Sequence, residues 1–527
     1  MITSLFRTSS LWKLDELRMQ HVLQACVSNL VCPVLLDKRF VIETDRPLTA
    51  DETARLRWLL TETFEPELLR TAPVDDANVI EVGPRNAIVT TFSTNAVSIC
   101  HACGLTSIKR VEATRRIHVK LCDGADLSDA QRKVAIALLH DRMTEQHYAE
   151  PITSFETDAV PAPVRLIPVL EEGVEALKRF NDEFGTAFDA QIMAYICDYY
   201  QEIGRNPTDV ELFMFGQLNS EHCRHHRFRG SYVIDGVEMR DSLFDMIRMT
   251  MAKQGNVIVA FSDNAAVLSG TPVTVLSPID PATASAFMQR EITSCITLKV
   301  ETHNHPTTIC AYPGAETGLG GDIRDIQGVG RGGIVTSAFA GYYVGNMFIP
   351  GYGLPWEAEY ASHPKGFQTP LEIAIQASNG ASDYGNKFGL PLIAGVFRSY
   401  EGMVGEIHHG YRKTVMVAGC AGFIDRRHTE KLEPKKGYKI VQIGGDGYRI
   451  GLGGGSGSSK DAGGQSSELD FNSVQRGNGE MENRTDEVIV ACSGLDGDNP
   501  IVTITDLGAG GECVALPEIV ETCGARY

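Results

Sequence analysis

The chain has 527 residues, 43% of them apolar and 22% charged, which excludes a mainly disordered or fibrous protein and suggests three or four domains at roughly 150 residues each. No run reaches the roughly 18 apolar residues of a membrane span, and Lys13, Asp15, Glu16 and Arg18 break up the start where a secretory signal would be apolar. Basic residues number 48 and acidic ones 67, a net charge of −19. This disfavours nucleic acid and anionic membrane as partners, but not phosphate groups bound locally by helix ends and glycine-rich turns.

In chain order, Asp51–Thr63 has helical apolar spacing behind an acidic start. Val79–Val82 and Ala87–Thr90 read as strands around the turn Gly83-Pro84, and Thr94–Cys103 reads as a helix. Ile108–Ala113 and Ile117–Leu121 read as two further strands and Leu127–Gln146 as a long helix. From about 170 to 230 the pattern is mostly helical, with Asn206 as the expected cap of a helix Thr208–Leu218. Strands are then expected at Asn256–Ala260, Ile296–Glu301, Thr414–Ala418 and Lys439–Ile443, with a helix at Leu371–Ser378. The whole reads as a multidomain α+β and α/β protein.

Thirteen cysteines scattered from Cys26 to Cys523 read as reduced thiols, not a disulfide framework. Cys100-His101-Ala102-Cys103 is the one CxxC and has no second ligand pair, so buried thiols are expected there.

Chemistry concentrates in four places. Seven of the eight residues Glu221–Phe228 are charged, titratable or thiol-bearing; a solvated helix end and a metal pair at His222 and His225 both fit that pattern. Lys299-Val-Glu-Thr-His-Asn-His-Pro306 ends a β-branched strand and runs into proline, so its side chains emerge at a strand end. Lys299 and Glu301 point the same way along a strand. A lysine suits phosphate oxygens, a carboxylate suits Mg²⁺, and His303 can act as general base or electrostatic stabiliser. Gly314–Asp325 follows, then Gly328–Gly333. It is neither a Walker A loop nor a dinucleotide-binding turn. Beside Lys299 and Glu301 it is expected to be a nucleotide–metal loop whose bare backbone approaches an anion. Finally, Asp506 is expected to end an apolar strand before a glycine turn.

Asn219–His225, Lys299–Pro306, Gly314–Asp325, Asp470–Arg476 and Thr505–Gly511 stand in an order that resembles phosphoribosylformylglycinamidine synthase. Glu81-Val-Gly-Pro-Arg85 resembles the N-terminal domain of its large single-chain form. The resemblance implies an α+β N-terminal domain at 1–165 and a helical linker at 166–230. A synthetase core of the aminoimidazole ribonucleotide synthetase type would follow, with a ferredoxin-like A domain at 231–430 and the start of a B domain at 431–527. It implies an ATP-dependent ligase of purine biosynthesis, cytoplasmic, making formylglycinamidine ribonucleotide from formylglycinamide ribonucleotide with ammonia derived from glutamine. No nucleophile elbow of a glutaminase is visible, so this chain is expected not to use glutamine itself; an inactive nucleotide-binding fragment is the alternative.

The resemblance also implies roles. His222 and His303 would be catalytic. Glu301, Asp325 and Asp506 would hold Mg²⁺. Thr302, Asn304, His305, Arg324 and Gln475 would hold the substrate. Lys299 and the run Gly314, Ala315, Glu316, Thr317, Gly318, Leu319, Gly320, Gly321, Asp322, Ile323, Arg324, Asp325 would bind ATP, at either of the two related nucleotide sites of the large form.

Overall fold

A computed structural model describes all residues except 62, 75–77, 158–159, 254, 359–362, 446, 460–465 and 525–527. The chain divides into two compact units, Met1–Ala162 and Pro163–Tyr527. Among the described residues no helix is long and apolar enough to cross a membrane.

In the first unit, strands β1 (Ile2–Arg7), β2 (Leu35–Thr44), β3 (Leu69–Arg70), β4 (Val79–Pro84), β5 (Ile108–His118) and β6 (Glu145–His147) form one sheet in the order β3-β1-β2-β5-β4-β6. Helices α1 (Lys13–Cys26), α2 (Ala50–Leu60), α3 (Thr91–Ala102) and α4 (Asp129–Leu139) accompany it. Capping boxes at Thr49/Glu52 and Ser128/Gln131 start α2 and α4, each cap contributing about 1 kcal/mol. Glu81 is buried and structural, accepting from Thr114 Oγ1 at 2.7 Å and Arg116 Nη1 at 3.1 Å.

Several expectations need correction here. Ala87–Thr90 is not a strand, because the Arg110 guanidinium takes the carbonyls of Asn86 and Ile88 at 2.8 and 2.5 Å. The helix expected at Thr94 begins at Thr91, capped by the Thr90 side chain. The two strands expected at 108–113 and 117–121 are one, since β5 pairs with β2 without a break between them. The long helix to Gln146 stops at Leu139, where His140 turns extended and the chain returns to pair with β4. Cys32 and Cys122 are bonded, contrary to the all-thiol expectation; the Val31–Leu121 bridge brings their Cα atoms to 5.1 Å.

The second unit opens with α5 (Val174–Phe184), α6 (Ala190–Ile203) and α7 (Asp209–Leu218), which pack around Leu177, Phe180, Ile196 and Leu212. Thr208, not Asn206, caps α7; the Asn206 side-chain Oδ1 accepts from Leu170 N instead. Strands β7 (Val257–Val259), β8 (Ala266–Pro278), β9 (Phe287–Thr302), β10 (Ile334–Val344), β11 (Leu392–Ser399) and β12 (Val415–Asp425) form a sheet ordered β11-β10-β12-β9-β8-β7.

Helices α8 (Asn304–Ile309), α9 (Ala311–Gln327) and α10 (Pro370–Phe388) follow strands of this sheet. Leu319, Ile323 and Ile326 of α9 and Tyr384 and Phe388 of α10 pack on Cys295, Ala338, Cys420 and Ile424 of the sheet. Each such large side chain contributes about 1.5–3 kcal/mol on burial. Beyond the sheet come α11 (Gly454–Ser458), α12 (Ser467–Ser473), α13 (Gly479–Ser493) and α14 (Glu512–Val520). Lys439–Ile443, expected as a strand, has no regular structure, and neither has the stretch around Asp506.

Candidate active site

The Gly314–Asp325 segment is not a loop. It lies inside α9, where backbone N–H groups bond along the helix and do not face an anion. Its glycines serve packing. A Cβ on Gly314 would stand 2.5 Å from backbone of Pro306 and Thr307, on Gly318 2.9 Å from His303 Cβ, and on Gly320 2.7 Å from the Tyr384 ring. Gly314, Ala315, Glu316, Leu319, Gly320 and Ile323 are buried in the helix packing. Thr317, Gly318, Gly321, Asp322, Arg324 and Asp325 line a cleft instead.

That cleft consists of two cavities of about 600 and 570 Å³ that share His222, Lys299, Glu301, Thr302, His303 and Gln475 on their walls. Lys299 and Glu301, two apart on β9, share one face of the strand and line both cavities. Lys299 Nζ sits 2.9 Å from Glu301 Oε2 and 2.7 Å from Asp325 Oδ2. Burial works against its charge, but these two carboxylates outweigh it and hold the ammonium above the ordinary lysine range.

Glu301, Asp322 and Asp325 bring ligand oxygens within 4.8 Å of one another. Asp322 is 1% exposed, and neither of its oxygens has a hydrogen-bond partner. Burial, then the charges of Glu301 and Asp325, pushes its carboxyl up to about 8. An orphaned buried carboxylate beside two others fits a hard cation such as Mg²⁺, which takes oxygen ligands. Asp325 is likewise pushed up, by burial and then by Asp506. Asp506 is outside the tight group; it reaches Asp325 through Asn264, whose Nδ2 is 3.2 Å from Asp325 Oδ1 and 3.0 Å from Asp506 Oδ1.

His303 is half-buried, with Nε2 3.2 Å from Thr317 Oγ1. Burial, then the neighbouring His222, pushes its imidazole down to about 4. His222 Nδ1 is 3.3 Å from Ser458 Oγ of α11. His305 is buried with Nε2 3.3 Å from Asp470 of α12. Asn304 Oδ1 accepts from Met416 N at 3.0 Å, tying α8 to β12, and Gln475 donates to the Gly508 carbonyl at 3.1 Å. Thr302 stands exposed on the cleft wall. Arg324 Nε lies 3.6 Å from Asp506, and Arg324 Nη1 lies 3.9 Å from Glu482. Glu482 also accepts from the Tyr384 hydroxyl, and burial pushes its carboxyl up to about 7.

Asp322 was expected among nucleotide contacts, not as a carboxylate of the acidic cluster. Asn264, Lys431, Ser458 and Glu482 stand outside the dense motifs and were not expected at the site, and Asp470, inside the Asp470–Arg476 motif, was given no role there. Only the i,i+3 spacing of Asp322 and Asp325 on a helix carried a sequence signal.

Three family profiles match the chain in order. They are Formylglycinamide ribonucleotide amidotransferase N-terminal over 37–154, Formylglycinamide ribonucleotide amidotransferase linker domain over 177–226, and AIR synthase related protein, C-terminal domain, over 435–527. The phosphoribosylformylglycinamidine synthase of Dictyostelium discoideum is 45% identical over 495 residues, 91% of this chain and 36% of that protein. The Homo sapiens protein of that name is 42% identical over 486 residues, 91% of this chain and 35% of that protein. A solved structure of T. maritima PurL complexed with FGAR matches at 22% identity over 61% of this chain and 40% of that chain, with a TM-score of 0.37. The chain therefore spans little more than a third of the length of these curated relatives.

Proposed function

We propose, from the premise that the chain belongs to the phosphoribosylformylglycinamidine synthase family, that its cleft takes part in ATP-dependent amidine formation on formylglycinamide ribonucleotide. The observation that carries this reading is the lysine among three carboxylates, Lys299 with Glu301, Asp322 and Asp325, set beside His303 and His222 on one cleft. In this reaction ATP phosphorylates the formyl amide oxygen, ammonia attacks the resulting carbon, and phosphate leaves. Charge moves with the phosphoryl group, and fixed cations and oriented donors are what lower that barrier.

In this reading Lys299 meets phosphate oxygens. Glu301, Asp325 and Asp506, joined by Asp322, would hold Mg²⁺, which would neutralise phosphate charge; Asp506 is linked to the others through Asn264. Thr302, Asn304, His305, Arg324 and Gln475 orient the substrate. His303, neutral near pH 7 because its imidazole is pushed down, is an acceptor for a proton from the attacking amine. His222, braced by Ser458, stands across the cleft. Ammonia, not glutamine, is the donor this stretch takes, in the cytoplasm. The boundaries at 165, 230 and 430 are proposed for its domains.

An inactive nucleotide-binding role is the second reading. Ammonia-driven turnover in an enzyme containing this stretch separates the two. Lys299→Ala and Glu301→Gln should each abolish turnover if the cleft is catalytic. If they lower nucleotide affinity and leave turnover intact, the cleft is the structural nucleotide site.

A further inference from the structure

Asn264 stands in the turn between β7 and β8, apart from every motif dense in chemistry. Its Nδ2 donates to both Asp325 Oδ1, at 3.2 Å, and Asp506 Oδ1, at 3.0 Å. Its Oδ1 accepts from Lys431 Nζ at 3.3 Å. The amide can sit only this way round, because carboxylates accept and an ammonium only donates. Lys431 is anchored in turn by Asp263 Oδ1 at 2.6 Å, and the other Asp263 oxygen accepts from Gly330 N at 2.9 Å. The chain Gly330–Asp263–Lys431–Asn264 therefore ends on two carboxylates that come from α9 and from the distant 501–507 stretch.

Two like charges brought this close repel. A neutral NH₂ group shared between them offsets the repulsion and sets their spacing. It does not cancel their charge, as a lysine or arginine in its place would. Asp325 Oδ2 already faces Lys299 and Asp506 Oδ2 faces Arg324, so Asn264 fixes the opposite oxygen of each.

We infer that Asn264 is a positioning residue that holds Asp325 and Asp506 at a spacing ready for a divalent cation, and that the Asp263–Lys431 pair holds Asn264. The inference rests on the proposed metal role of Asp325 and Asp506. It adds that cation binding draws the 501–507 stretch and α9 together through one amide. Removing a hydrogen-bond partner of a ligating group typically weakens metal binding about 10- to 100-fold.

Mn²⁺, an oxygen-preferring and paramagnetic stand-in for Mg²⁺, tests this on the full chain without nucleotide, by electron paramagnetic resonance and thermal unfolding. Wild type should bind Mn²⁺ and Asp325→Asn should abolish binding. Asn264→Ala should raise the Mn²⁺ dissociation constant about 10-fold or more. Asn264→Asp keeps the shape but adds a third carboxylate to the pair. It should lower the metal-free melting temperature and enlarge the rise that Mn²⁺ produces, and it carries the test if the alanine variant does not fold. If Asn264→Ala only lowers the metal-free melting temperature and keeps the wild-type dissociation constant, the positioning role is overturned and the metal reading stands. If wild type binds no Mn²⁺, both fall.

Discussion

His303 shows how one side chain's surroundings decide its chemistry. Its place on the strand end beside Glu301 was legible in the sequence, from alternation along β9 and the proline that follows. Its protonation was not, because that depends on burial and on His222, some eighty residues earlier in the chain. The unfolded chain takes up this proton near pH 6.5 and the folded chain only near pH 4. Its contribution to stability is therefore undiminished above pH 6.5 and is lost as the pH falls toward 4. His303→Gln should flatten that part of the melting-temperature profile between pH 6.5 and 4, read by thermal unfolding across buffers. In a complete enzyme, His303→Ala should lower ammonia-driven turnover by about 10²–10⁴-fold with nucleotide affinity little changed. A bracing role through Thr317 would instead lower rate, affinity and melting temperature together. Asp322 was misplaced for the opposite reason. Its residue type was visible, but that both its oxygens are buried without partners is a property of the folded helix.

At the scale of elements, α9 is where composition misled. Glycines at 314, 318, 320 and 321 suggested a loop, since glycine weakens a helix by roughly 0.5–1 kcal/mol relative to alanine. The apolar spacing of Ala311, Ala315, Leu319, Ile323 and Ile326 was nevertheless helical, and it is the packing of that face that decides the fold. The glycines admit neighbours that any Cβ would strike. Gly320→Ala should destabilise by about 1–3 kcal/mol through overpacking against Tyr384, despite its better helix propensity. Gly321→Ala meets only the Arg324 guanidinium at 3.8 Å and should be neutral or stabilising. Denaturant unfolding of the two variants side by side checks this, and equal losses would contradict the packing account. Helices with a side-chain cap, such as α2 and α7, were placed within a few residues by sequence. Lys439–Ile443 was not, because a stretch of five residues, three of them apolar, does not reveal whether a neighbouring strand exists to pair with it.

The second unit builds one cleft from stretches far apart in sequence, among them 217–228, 261–264, 299–325, 473–475 and 506–518. Motif order revealed four of these, whereas the turn carrying Asn264 became visible only with its distances. Lys299 and Arg324 keep their charge inside the cleft because carboxylates surround them. In the proposed function the cleft takes the phosphates of a nucleotide at Lys299. Calorimetric titration of the 527-residue chain with MgATP, wild type against Lys299→Ala, is the measurement that decides this. Loss of one charge-assisted contact of about 1.5–3 kcal/mol should weaken binding about 10- to 100-fold. Equal affinity in the two proteins would contradict it.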